Sequence, residues 1–235
     1  APSITTGPIT AQLLLFFFPI LLGTFFQQLY NTVDTIIVGN FVGTNTALAA
    51  VGGATGQLVN LFVGFFIGLS SGCGVIISQY YGARDQNAVS KSVHTALAFS
   101  LLSGVVIMVL GLLLTDFSLR AMSLPEEIMP EATAYLRIFF LGMIPNLFYN
   151  MGAAVLRAIG DSKRPLYFLI LSCLCNIVLD LIFVAHLRLG VSGAALATIL
   201  SQLASAVMVL FVLLRTKSDV RLIPRDRKST RLNSS

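Results

Sequence analysis

Asp34 and Asp180 are the residues of this chain best suited to chemistry, because each lies inside a long apolar run. An ionisable side chain at membrane depth is costly, and its default reading is a functional site. Tyr30 lies four residues before Asp34 and Asn176 lies four before Asp180, so each pair shares one helix face. Asp34 also closes a polar stretch, Gln27, Gln28, Tyr30, Asn31, Thr32 and Thr35, whose groups lipid cannot satisfy and which must face protein or water. At 1.5 Å per residue, counting back from Gly39 and Leu187, both carboxylates lie about 8–10 Å below the same ends of their helices. Thr198 reaches about that level in the last apolar run, and Tyr135 enters its own run near the same side. Two carboxylates with hydroxyl and amide neighbours can exchange a proton. They can equally bind Na⁺ through oxygen atoms, with Asp34, Asp180 and Asn176 as its ligands. The bland alternative is a structural hydrogen-bond network between two helices.

Other residues carry weaker signals. Pro19 lies 15 residues before Asp34, removes one helix hydrogen bond and permits a bend. Pro145 does the same in a later run, with Asn146 and Asn150 beside it. Arg137 is placed to snorkel outward. His94 and His186 read as interfacial. Cys73, Cys173 and Cys175 are an odd count inside apolar runs, without a CxxC or CxxH pattern, and read as small apolar packers.

These residues need spans to position them. The 235 residues are 56% hydrophobic and 11% charged, with a mean hydropathy of +0.86. A soluble domain carries about a quarter charged residues, so an ordinary cytosolic enzyme, a nucleic-acid module and a secreted disulfide scaffold are excluded. The expected class is all-α, a polytopic membrane protein with six transmembrane helices near 12–39, 47–80, 92–115, 132–156, 166–187 and 190–214. At 34 residues the second run would measure about 50 Å, so it must tilt, kink or start outside the hydrocarbon. The run from Leu13 lacks a signal-peptide cleavage site and reads as the first span. Basic residues fall after even-numbered spans in 12 of 15 cases, the exceptions being Arg120, Arg137 and Arg188. The positive-inside rule then puts both ends of the bundle in the cytoplasm. Two of the inner loops, GARDQN and GDSKRP, look alike and read equally as helix caps or as gating elements. Residues 223–235 form a polar tail without periodicity. From Lys228 the tail resembles translated adapter sequence, so it is expected not to be native and is left out of the fold.

Several stretches together resemble the multidrug and toxic compound extrusion (MATE) transporters, in their prokaryotic branch. They are FFFPILLGTFFQQLYNTVDTIIVG in the first run, ALAAVG and SQYYGARD around the second, LRAIGDSKRP after the fourth, NIVLDLIFV in the fifth and GVSGAALATILSQ in the sixth. The resemblance implies that residues 1–222 are the N-terminal six-helix lobe of a twelve-helix transporter whose second lobe is missing here. It implies a cation-coupled efflux antiporter in the plasma membrane, using H⁺ or Na⁺ and no resident cofactor. Its partners would be amphipathic, often cationic drugs or toxins and the lipid bilayer, with no nucleic acid. It also implies an acidic network at Asp34 and Asp180, polar partners at Tyr30, Tyr135, Asn150, Asn176 and Thr198, and a hinge at Pro19. Asn150 fits the depth estimate least well. A lipid-linked precursor flippase of the same superfamily is the alternative, disfavoured by the acidic intramembrane charges. An intramembrane aspartyl protease is the remote one, because Asp180 follows Ile177-Val178-Leu179 rather than a GxGD sequence.

The charge asymmetry carries a topology prediction. In a cysteine-free background, a membrane-impermeant thiol reagent added outside cells modifies Glu127→Cys and misses Asp161→Cys. The opposite pattern would invert the bundle.

Overall fold

A computed structural model describes residues 9–43 and 45–215. The polar tail lies outside the described residues. The chain folds into α1 (Ile9–Phe41), α2 (Asn45–Gly52), α3 (Ala54–Gly82), α4 (Gln86–Ala121), α5 (Met129–Leu141), α6 (Met143–Ala158), α7 (Lys163–Asp180), a π-helical turn (Leu181–His186) and α8 (Gly190–Arg215). Among the described residues there is no strand. Five runs are long and apolar enough to cross a membrane, and α5 with α6 makes the sixth as a span bent by 50°.

Each departure from a straight span has a local cause. The second run breaks at Gly53, where an added Cβ would stand 2.6 Å from the Ala49 carbonyl oxygen. That break turns an overlong run into a short α2 and a spanning α3. Pro145 permits a bend in the fourth run, and the break falls at Gly142. Proline cannot bond the carbonyl four residues back and its ring presses on it, so the disruption appears at Leu141 and Gly142, one turn earlier. Gly142 is also where this span meets α8: a Cβ there would lie 2.5 Å from Ile199 Cγ1. The fifth run loses α-helical register immediately after Asp180, and Leu187 N–H reaches the Ile182 carbonyl at 2.8 Å. The π turn fits against α8 because Gly193 leaves room for Phe183. α1 runs through Pro19 without a break in its assignment.

The two similar inner loops are built alike. Asp85 N–H bonds the Tyr80 carbonyl and Asp161 N–H bonds the Leu156 carbonyl, closing the preceding helices. Arg84 (φ 58°) and Gly160 (φ 87°) supply the left-handed residue that this closure needs. Each aspartate then caps the next helix, Asp85 on Ala88 N–H at 3.0 Å and Asp161 on Arg164 N–H at 3.1 Å. The caps account for the loop sequences.

α6 sits at the centre, packed on α3, α4 and α8, whereas α1 lies at the edge and leans mainly on α7. Gly23 of α1 faces Leu166 and Leu169 of α7. The outward faces of α1 and α4 expose Leu14, Phe18, Phe25, Leu102, Leu113 and Phe117, as a lipid-facing bundle requires. Arg137 does project outward, and its guanidinium pairs with Asp116 at 2.7 Å. The three cysteines are free thiols.

The tightest contact predicts a stability effect. A Cβ on Gly152 would overlap Val209 Cγ1, and Val209 is fully buried and β-branched, so it cannot swing aside. Gly152→Ala should cost about 1–3 kcal/mol, read as a lower melting temperature of the purified protein in detergent. Adding Val209→Ala should recover part of the loss.

Candidate functional site

The carboxylates reach the same place by different routes. Asp34 is carried by α1, and Asp180 is the last residue of α7 before the π turn. Asp34 is 6% exposed, and Asp180 and Asn176 are fully buried. Thr198 on α8 and Tyr135 on α5 are buried beside them. The Tyr30 hydroxyl donates to Thr198 Oγ1 at 3.2 Å and so ties α1 to α8. The two carboxylates act electrostatically on each other and on the Tyr30 and Tyr135 hydroxyl groups. An apolar cluster including Ile37, Val38, Val184 and Ala194 packs over this end of the bundle.

The polar atoms of this cluster are not satisfied by one another. Among the described residues, Asp34 Oδ1, both carboxylate oxygens of Asp180 and both amide atoms of Asn176 have no hydrogen-bond partner. A buried polar group without a partner costs about 1–3 kcal/mol, and native folds retain few of them. Five such atoms from three neighbouring residues describe a site shaped for something besides side chains. A proton between carboxylates, a cation held by oxygens, or water meets that need.

Asn150 is not part of this group. Its amide donates to the Asn146 carbonyl and to Asn146 Oδ1, both at 2.9 Å. It faces a separate polar cavity that Tyr30 also lines, together with Gln27, Tyr149, Ser172, Ser201, Gln202 and Ser205. Tyr30 is therefore shared by two polar spaces. The polar stretch of α1 also divides. Tyr30 and Asp34 turn into the bundle, while Gln28, Asn31, Thr32 and Thr35 stay exposed. Thr32 and Thr35 satisfy their hydroxyl groups on carbonyls one turn back, at 2.8 and 2.9 Å. Pro19 is buried in α1 below the polar stretch. The serines of α7 and α8 were not singled out from sequence, since a lone serine in an apolar run carries no pattern. Ser172 donates to the Ser201 carbonyl at 2.9 Å, and Ser201 to the Thr198 carbonyl at 2.8 Å.

Residues 19–182 match the family model described as MatE. The chain is 34% identical over 223 residues to the probable multidrug resistance protein YpnP of Bacillus subtilis (strain 168), covering 94% of this chain and 49% of that protein. It resembles a crystal structure of MATE in the bent conformation with a TM-score of 0.86 and 31% identity, over 96% of this chain and 50% of the other. It also resembles one in the straight conformation, with a TM-score of 0.84 and 30% identity over 92% and 48%. The chain thus spans about half the length of the curated relatives it matches.

The Tyr30–Thr198 contact is a side-chain hydrogen bond that ties α1 directly to α8. A double-mutant cycle with Tyr30→Phe and Thr198→Val should return a coupling of about 0.5–1.5 kcal/mol in unfolding free energy. A coupling of zero would mean that the hydroxyls do not meet in the folded protein.

Proposed function

This chain belongs to the MatE family, and we propose that it is the N-terminal lobe of a cation-coupled antiporter that expels amphipathic, often cationic small molecules across a prokaryotic plasma membrane. The relative with 34% identity is named as a probable multidrug resistance protein, which supports a transport reading over an enzymatic one. The observation that carries the coupling role is the set of unpartnered oxygens on Asp34 and Asp180, enclosed in an apolar bundle.

The proposed cycle uses the chain's own groups. With both carboxylates ionised, their repulsion and lost hydration are relieved by a cation or by water. Taking up a proton removes one charge and turns an acceptor into a donor. The hydrogen bonds around Tyr30, Thr198 and Asn176 then rearrange, and α1 bends at Pro19, where one helix bond is already absent. α1 is free to do so because it lies at the edge of the lobe. Its exposed Gln28, Asn31, Thr32 and Thr35 line the side facing a water-filled cleft shared with the second lobe, since lipid would not tolerate them. Bending therefore reshapes the wall along which substrate leaves. The acidic site suits cationic cargo better than a phosphate-bearing lipid precursor. The coupling ion is H⁺ or Na⁺, and both ends of the lobe are cytoplasmic, as its loop charges favour.

Asp34→Asn in the full-length transporter should abolish drug efflux with expression largely intact. The amide keeps the shape and removes the titratable group, and loss of a buried charge does not burden folding. Cells producing this variant and retaining full drug resistance would refute the coupling role.

A further inference from the structure

The coupling scheme leaves one polar space without a task. It is the cavity of about 60 Å³ between α1, α6, α7 and α8. A drug-sized site needs about 300–1,000 Å³, so this one is too small for cargo. A water needs about 10–15 Å³, so the cavity has room for a few, and Asn146, Asn150, Ser201 and Gln202 line it with groups able to bond them. The cavity has a tyrosine toward each side of the membrane. Tyr30 joins it to the carboxylate cluster through Thr198. Tyr149 leads the opposite way, and its hydroxyl donates to the Pro165 carbonyl at 3.2 Å, at the third residue of α7. Beyond Tyr149 stands Arg157, whose guanidinium acts on that hydroxyl and has no ion-pair partner among the described residues.

We infer that this cavity is the inner half of a proton path between the Asp34–Asp180 pair and the cytoplasm, with Tyr149 as its relay and gate. The inference rests on the antiporter reading and deepens it by choosing the proton over Na⁺ at the inner exit. A proton held by the carboxylates reaches the cavity water through the Tyr30 and Thr198 hydroxyls. Cavity water then gives a proton to a lone pair of the Tyr149 oxygen, while the Tyr149 hydroxyl hydrogen passes to water on the Arg157 side. One proton crosses, and the phenol is neutral before and after. To do this the hydroxyl must leave the Pro165 carbonyl, so that hydrogen bond is the closed gate. A proton moves by exchanging bonds and needs no opening where the ring stands. A hydrated Na⁺ needs the ring displaced and then meets the Arg157 charge.

The test uses the full-length transporter in liposomes containing a pH-sensitive dye, with ethidium as the amphipathic cation. Ethidium should drive proton flux in the parent. Tyr149→Phe keeps the ring and loses the relay, so the flux should fall at least about tenfold, with the melting temperature lowered by no more than the loss of one hydrogen bond. Tyr149→His, which can also relay a proton, should restore part of it. Parental flux in Tyr149→Phe, or equal loss in the Phe and His variants, would overturn the relay while leaving the antiporter standing. Ethidium movement driven by a Na⁺ gradient with no proton flux would also overturn it. A parent that couples ethidium to neither ion would refute the antiporter reading, and this inference with it.

Discussion

Every polar atom in a membrane bundle must find its partner within the bundle, because lipid supplies none. Helices meet that demand for their own backbone, and most of this chain goes no further. Its side-chain hydroxyls bond carbonyls one turn back, as Thr32, Thr35 and Ser103 do. Among the described residues the largest exception is the group around Asp34, Asn176 and Asp180, where five buried atoms have no hydrogen-bond partner, Glu131 Oε2 being a sixth elsewhere. The remaining architecture follows from enclosing that exception. α5 contributes Tyr135, α8 contributes Thr198, and α1 closes over the pair through Tyr30. The π turn begins at the residue after Asp180, and π turns inside helices often mark functional positions.

The irregularities in the spans set how closely the helices pack. A six-helix bundle of uninterrupted rods would keep α5 and α6 straight and hold α8 away from them. The 50° bend at Gly142 and the absence of a side chain there bring Ile199 against the bend. Gly152 does the same for Val209 one turn from the end of the serine track on α8. Without hydrophobic drive between helices in lipid, close approach through small residues and packing provides the adhesion. α1 makes fewer such contacts than the central helices, which leaves it the most easily moved wall of the site.

Much of this was legible in the sequence for physical reasons. Six apolar runs of spanning length can form only helices in a bilayer, so the class and the number of spans followed directly. The two Asp residues stood out because charge at membrane depth is rare, and a count of residues from the span ends placed them at one level. That count assumed straight helices, and it failed where helices are not straight. Asn150 lies beyond the Gly142 bend, and its amide turns to Asn146 instead of the carboxylates. The shift of the break from Pro145 to Gly142 was hidden because proline disrupts the turn before itself. The π turn was invisible because Leu181–His186 is an apolar run like its neighbours. The second polar space was missed because serines and amides from four helices show no spacing in one chain.

In the proposed coupling, the shared position of Tyr30 limits how ion binding and movement can be linked. A ligand shifts a conformational equilibrium only by its difference in affinity for the two states. Moving α1 from one part in a hundred to ninety-nine needs a difference of about 10⁴, near 5.5 kcal/mol. One titrating carboxylate would have to supply all of it. Two carboxylates acting on the same hinge supply it at about 10² each, or roughly 2.7 kcal/mol apiece. That division requires both to sense the same movement, and Asp34 and Asp180 sit on different helices. Tyr30 is the residue that joins them, since it rides on α1 with Asp34 and bonds α8 beside Asp180. Breaking its bond to Thr198 alters the surroundings of both carboxylates and of the cavity below in one step. A pair of acids with a common tyrosine can thus drive a large change of shape with moderate changes of affinity, where a single buried acid would need about four pKa units of difference by itself.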